Sequence, residues 1–329
     1  MIGIAVLGCG RIGRMHAQNV ASHGRLELVT LFDINMAAAE SLARNLGVTP
    51  ASSVNEVLVN PAVDGVVIAA STDTHVELIA AAVSARKAVL CEKPVDLDIG
   101  RARACWEEIS RSSPRVMIGF NRRFDPSFRA IKQRVDSGEI GTPELLVITS
   151  RDPHPPSAEF LRHSGGMFRD FTIHDLDMAR YLVGEIAEVY ASGANLIDPV
   201  IGELGDIDTC AVTLLAKSGA LVQINNSRRS VYGYDQRVEV FGGRGMLLAG
   251  NQRKTSVEKW SECYTSAQDL LFPFFVERYR EAYVAELDAF AYALESGGPM
   301  SPDFTDGVVA LLLADAAGRS MSSGRPEKL

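Results

Sequence analysis

"IGIAVLGCGRIGRMHAQNVA", residues 2–21, decides the fold. It begins as an apolar run, passes through Gly8, Gly10 and Gly13, and continues in a helical pattern. A strand, then G-x-G-x-x-G, then a helix marks a βαβ unit built to grip a dinucleotide. The first glycine permits a tight turn, the second lets backbone approach a pyrophosphate, and the third lets helix and strand pack closely. The cradle on this reading is Gly8, Gly10, Arg11, Ile12 and Gly13, where the N–H groups of a helix start face the phosphates. Asp33 stands 20 residues past Gly13, at the end of the next apolar run, "LELVTLFD". A carboxylate there accepts hydrogen bonds from the adenosine ribose hydroxyls. Ile34 and Asn35 follow, with no arginine to receive a 2′-phosphate, so the expected cofactor is NAD in preference to NADP.

Further along, "VDGVVIAA" (63–70), "AVLCEKP" (88–94) and "RVMIGFN" (115–121) read as three more strands, each separated from the last by a helical pattern. Strands alternating with helices predict a doubly wound parallel sheet, a Rossmann domain spanning residues 1–121. In such sheets ligands bind at the carboxyl ends of the strands. That places Ser71, Thr72 and His75 after the third strand and Glu92 and Lys93 after the fourth as cofactor-lining candidates. His75 could instead cap its own helix. Lys93 could be an ordinary surface lysine, although Pro94 biases it away from helical angles and holds it at the rim. Asn121, Arg122 and Arg123 follow the fifth strand, and Asn121 and Arg123 are taken as substrate candidates.

Beyond residue 121 the β-rich segments lengthen. "PELLVITSRD", "DTCAVTLLAKSGALVQINNSRR" and "QRVEVFGGRGMLLAG" carry Gly-containing turns that predict antiparallel hairpins. Residues 122–329 are expected to form a second α/β domain, with its terminal helices free to pack back on the first.

The 329 residues carry a net charge of −8, which disfavours nucleic acid and anionic membranes as partners. No apolar run is long enough to span a bilayer. The five cysteines are widely spaced without C-x-x-C, so neither a disulfide framework nor a metal site is expected. Buried free thiols and a cytoplasmic location are the simplest reading.

"GGMFRDFTIHDLDMARYL", residues 165–182, concentrates Asp170, His174, Asp175 and Asp177 beside an apolar helical pattern. At about 100° per residue, Asp170, His174, Asp177 and Tyr181 fall within roughly 60° of one another on a helix over 166–183. One face then suits a core and the other is a titratable cluster. Acids near a helix start also arise simply because they favour the helix dipole.

Taken in order, "GCGRIG", "EKP" and "RDFTIHDLDMARYL" resemble the glucose–fructose oxidoreductase/inositol dehydrogenase family, and the likeness covers essentially the whole chain. The segments "GFNRRFDPSF", "ITSRDP" and "GGMFRDFTIHDLDMARYL" look most like inositol 2-dehydrogenases, which oxidise myo-inositol with NAD. The resemblance implies a Rossmann domain followed by an α/β domain with a large open, mainly antiparallel sheet. It implies catalysis in the cleft between them by Lys93, Asp170 and His174, and a tetramer.

The chemistry suits those residue types. A secondary alcohol loses a hydride only if its hydroxyl proton also leaves. An imidazole, whose unperturbed pKa is about 6.5, suits that task near neutral pH. Asp170 could orient it or bind a neighbouring hydroxyl, and Lys93 could stabilise negative charge on the reacting oxygen. His174 is the preferred base over Lys93. Asp152, His154 and Tyr234 complete the substrate candidates. Tyr232 and Tyr234 are expected on one face of a strand, where sheet packing or a subunit contact is the simpler role. The expected reaction is NAD-dependent oxidation of a cyclic polyol, most simply myo-inositol to 2-keto-myo-inositol. Scyllo-inositol, an inositol derivative or a pyranose sugar is the enzymatic alternative. A sensor that binds NAD and sugar without chemistry is a third reading, disfavoured because Lys93 and His174 are both present.

Overall fold

The computed structural model describes residues 1–329. The chain divides into two units, one of Met1–Asn121 with Tyr283–Leu312, the other of Arg122–Ala282 with Leu313–Leu329.

In the first unit β1 (Ile2–Leu7) leads into α1 (Arg11–Ala21), and β2 (Leu26–Phe32) into α2 (Met36–Leu46) and the short α3 (Val54–Val59). There follow β3 (Gly65–Ile68), α4 (His75–Ser84), β4 (Ala88–Glu92), α5 (Ile99–Ile109) and β5 (Val116–Gly119). The five strands are parallel and lie in the order β2-β1-β3-β4-β5. β3 and β5 are buried along their whole length, and all but one residue of β1 and β4 is. That explains their unbroken apolar runs, since a sheet covered on both faces leaves no side for polar residues. The order reverses about β1, so the glycine loop that follows β1 stands at the topological switch point.

The second unit begins with α6 (Pro126–Asp136), whose first turn is capped by Asp125, a carboxylate accepting from the Ser127 and Phe128 N–H groups. Its strands are β6 (Pro143–Arg151), β7 (Ile186–Ala194), β8 (Thr209–Ala216), β9 (Leu221–Ser227), β10 (Asp235–Gly242) and β11 (Gly245–Ala249). Between β6 and β7 run α7 (Ala158–Leu161) and α8 (Ile173–Val183), and α9 (Pro199–Glu203) precedes β8. A separate hairpin joins β12 (Glu258–Ser261) to β13 (Tyr264–Gln268). The helical segments α10 (Phe275–Arg278), α11 (Arg280–Ser296) and α12 (Phe304–Ser323) follow, with Tyr283–Leu312 belonging to the first unit, and β14 (Glu327–Lys328) comes last.

The large sheet has the order β11-β10-β6-β9-β8-β7-β14, antiparallel throughout except for the β6–β9 pair. The 217–220 and 242–245 turns close the two expected hairpins. β8 alternates strictly, with Cys210, Val212 and Leu214 inward and Ala211, Thr213 and Leu215 outward. One face of the sheet is therefore core and the other open. α8 packs on the covered face along β6.

Two local expectations change. Phe168–Thr172 is a π-helical turn, and the regular helix starts only at Ile173. The 3.6-residue phase that grouped Asp170 with Asp177 and Tyr181 therefore does not run through residue 172. Tyr232 and Tyr234 do not share a strand face either. Both precede β10, separated by Gly233 at φ +115°, so Tyr234 is buried whereas Tyr232 is 43% exposed. Four cysteines are buried and free as expected, but Cys263 is exposed, in the β12–β13 turn. No helix is long and apolar enough to cross a membrane.

Candidate active site

The first unit supplies a dinucleotide cradle. Gly8 sits at φ +101°, and a Cβ there would lie 2.4 Å from the Ala69 carbonyl oxygen, so the loop after β1 lies against the end of β3. A Cβ on Gly13 would stand 1.9 Å from the Gly8 carbonyl oxygen, which excludes any side chain. A Cβ on Gly10 would meet nothing within 4 Å, so space remains above the loop on the side where a pyrophosphate would lie. Gly10 opens α1 with no side-chain cap, and no acid stands in the first turn, which leaves the helix start suited to an anion. Arg11 is exposed and Ile12 half-buried there. The Asp33 carboxylate accepts from the Cys9 N–H at 2.6 Å and the Asn35 N–H at 2.8 Å, which fixes it beside the glycine loop. These residues fit NAD. Held by them, the nicotinamide would supply the hydride acceptor for an oxidation.

At the same sheet edge Ser71 and Thr72 begin a short 3₁₀ turn after β3, Ser71 exposed and Thr72 half-buried. His75 is buried, its Nδ1 2.8 Å from the Pro94 carbonyl oxygen and its Nε2 3.1 Å from that of Ala70. Burial pushes its pKa down despite those two carbonyls. A neutral imidazole donates from one nitrogen only, and Nδ1, at the shorter distance to Pro94, ties the loop after β3 to the loop after β4. That is a positioning role for a residue first read as a cofactor contact or a cap. Lys93 follows Glu92 at the end of β4, half-buried, and the Lys93–Pro94 peptide is cis. Asn121 closes the unit, almost wholly buried.

In the second unit the acids of residues 165–182 separate into three functions. Asp175 is fully buried and accepts from Arg122 Nη1 at 2.5 Å, Ser150 Oγ at 2.8 Å and Asn226 Nδ2 at 2.7 Å. Asp177 makes a two-pronged pair with Arg123, at 2.9 Å and 2.6 Å. Arg123, read from sequence as a substrate contact, is thus a buried structural cation, and Asp177 its counter-ion. Its guanidinium also lies 5.1 Å over the Tyr181 ring. Asp170 and His174, by contrast, are both half-buried.

Asp170 has a partner that sequence reasoning missed. Arg228, just past β9 and only 1% exposed, places both terminal nitrogens 3.3 Å from Asp170 Oδ2. No local pattern marks one arginine of "NSRR" as buried. The same arginine acts on Asp152, which directly follows β6. Burial first, and then the like charge of Asp170, raise the Asp152 carboxyl from 3.8 to about 7 against the opposing pull of Arg228 and Arg122. His154, two residues on, is exposed and stacks at 5.8 Å on Phe274. Tyr234 is buried edge-on against Tyr279, and burial holds its phenol well above the usual range.

The Asp152 shift has a testable sign. Its pKa is higher folded than unfolded, so the folded chain binds more protons between about pH 3.8 and about pH 7, and this carboxyl costs stability as pH rises through that window. Asp152→Asn removes the cost. Its melting temperature relative to the parent should therefore climb from pH 4 to pH 8 by calorimetry, and a flat difference would refute the shift.

The chain compares closely with known proteins. Residues 2–120 match the oxidoreductase family with an NAD-binding Rossmann fold, and residues 128–248 match the GFO/IDH/MocA C-terminal domain. The chain belongs to the GFO/IDH/MocA family. This makes it an NAD-dependent oxidoreductase. The inositol 2-dehydrogenase of Rhizobium meliloti is 45% identical over 326 residues, 98% of each chain. A crystal structure of a myo-inositol dehydrogenase from Corynebacterium glutamicum superposes with a TM-score of 0.97 at 49% identity, covering 100% of this chain and 99% of that one. A scyllo-inositol dehydrogenase from Lactobacillus casei, solved with NAD(H) and scyllo-inositol bound, gives a TM-score of 0.92 at 28% identity over 100% of this chain and 99% of its own. Both GFO/IDH/MocA domains are thus matched in this chain, the second one carrying Asp170 and His174.

Proposed function

We propose that the protein oxidises a cyclic polyol with NAD, myo-inositol to 2-keto-myo-inositol before any other. The reading is carried by the presence of Lys93, Asp170 and His174 in a chain 45% identical to an inositol 2-dehydrogenase. His174 accepts the hydroxyl proton, and Lys93 hydrogen-bonds the reacting oxygen and stabilises charge as it develops there. Asp170, held by Arg228, fixes a second hydroxyl or the imidazole. Asp152 and His154 are the residues that discriminate between polyols. Below about pH 7 the Asp152 carboxyl donates a hydrogen bond, and above it accepts.

The test is NADH formation with myo-inositol, scyllo-inositol, D-chiro-inositol and D-glucose, each offered with NAD and with NADP. Turnover of myo-inositol with NAD alone is the expected result. Preference for scyllo-inositol would follow the relative of Bacillus subtilis named scyllo-inositol 2-dehydrogenase, 38% identical over 99% of this chain. NADH binding without turnover of any substrate would make the protein a sensor.

The protein acts on this reading as a homotetramer in the cytoplasm. The open face of the large sheet carries Tyr190, Leu215, Leu221, Phe241, Met246 and Leu248, each between 38% and 58% exposed. An apolar face of that extent is the kind a second copy covers. Light scattering at micromolar concentration should return an oligomer, and Phe241→Glu with Leu248→Glu should shift it toward the monomer. A monomeric parent chain would overturn the assignment.

A further inference from the structure

The first unit holds a buried polar cluster that the chemistry above does not use. His16 on α1, Glu92 at the end of β4 and Glu286 on α11 each bring a side-chain ligand atom within 4.8 Å of the others. His16 and Glu286 have no exposed surface. His16 Nε2 lies 2.8 Å from Glu92 Oε1, and Tyr283, one turn before Glu286, meets the His16 ring edge-on at 5.6 Å. Both carboxyl oxygens of Glu286 are buried without a hydrogen-bond partner, as is His16 Nδ1.

An ionised Glu286 at this depth would be an uncompensated buried charge, which is strongly disfavoured. A second carboxylate nearby raises that cost, because two close carboxyls do not both ionise. Burial, and after it the charge of Glu92, accordingly holds the Glu286 carboxyl well above its ordinary range. As a neutral acid Glu286 carries one O–H donor, and the acceptor nearest in chemistry is the Glu92 carboxylate. A divalent cation could use the same two carboxylates and imidazole. A metal-bound imidazole, however, gives its other nitrogen to an outer partner, and His16 Nδ1 has none.

We propose that Glu286 is a protonated positioning residue, donating a hydrogen bond to Glu92, and that the row Glu286–Glu92–His16 fixes the strand end that presents Lys93. The proposal rests on the role given to Lys93 above. The row joins α1 at His16 to the end of β4, which Lys93 directly follows.

The experiment uses the full chain with Glu286→Gln, which keeps a donor, and Glu286→Leu, which does not. The infrared spectrum at neutral pH should show a protonated-carboxyl stretch that Glu286→Gln removes. Glu286→Gln should keep kcat within about threefold, and Glu286→Leu should lower kcat roughly tenfold to a hundredfold with NADH affinity unchanged, as expected for one lost hydrogen bond to a charged group. An unchanged infrared spectrum in Glu286→Gln would overturn the proposal. So would equal loss of kcat in both variants, or a stoichiometric zinc or manganese ion in the purified parent that Glu286→Gln releases. If the parent turns over no polyol, the reaction reading falls, and the infrared band still decides the protonation of Glu286.

Discussion

His174→Ala is expected to lower kcat for polyol oxidation by roughly a hundredfold to ten-thousandfold, the usual loss when a positioned general base is removed. NADH affinity should stay within about twofold, because the dinucleotide cradle is built from β1, α1 and Asp33. His174 lies between Ile173, fully buried, and Asp175, fully buried and bonded to three donors, so its backbone is anchored whatever side chain it carries. The loss should therefore appear in turnover and leave the melting temperature unmoved. Activity of the variant should recover in part as pH rises, since hydroxide substitutes for the missing base. Lys93→Ala should be equally inactive without that recovery, because it removes stabilisation of the oxyanion. Stopped-flow or steady-state rates with fluorescence titration of NADH would measure both quantities. A variant that loses NADH binding together with turnover would contradict the roles assigned.

The largest effect on stability is expected at Asp175. Removing its carboxylate leaves the Arg122 guanidinium buried without its counter-ion, and Ser150 and Asn226 each lose one acceptor. Breaking a buried ion pair from one side costs about 3–5 kcal/mol, much of it the charge left behind. Asp175→Ala should therefore unfold at markedly lower denaturant concentration. Arg122→Met combined with Asp175→Leu should recover much of that loss, because replacing both partners with apolar groups removes the orphaned charge as well. If the double variant were as unstable as Asp175→Ala, the cost would lie in packing and not in the charge.

What the sequence made legible was whatever depends on neighbours along the chain. The glycine loop, Asp33, the continuous apolar strands of the first unit and the alternation of β8 are all local patterns. The ion pairs that hold α8 are not. Arg122 and Asp175 are 53 positions apart, and Arg123 and Asp177 are 54, so nothing near either acid distinguishes it from Asp170. The helical wheel failed for a separate reason, because a π-helical turn advances by a different angle than the regular helix assumed for it. Glu281 and Glu286 look alike in "REAYVAELDAF", yet only Glu286 is fully buried, which tertiary packing alone decides.

The pairing of Asp175 and Asp177 with arginines has a consequence for how this enzyme can change. Both anchors of α8 are sealed from solvent, and the strand that Asp175 holds on to, β6, ends at Arg151. Asp152 and His154 lie just beyond that end. If positions 152–154 choose the polyol as proposed, the residues that select substrate lie beside the ion pairs that hold α8 without being partners in them. A change of polyol by substitution at positions 152–154 would then spare the ion pairs of α8, although a change at Asp152 also alters how stability depends on pH.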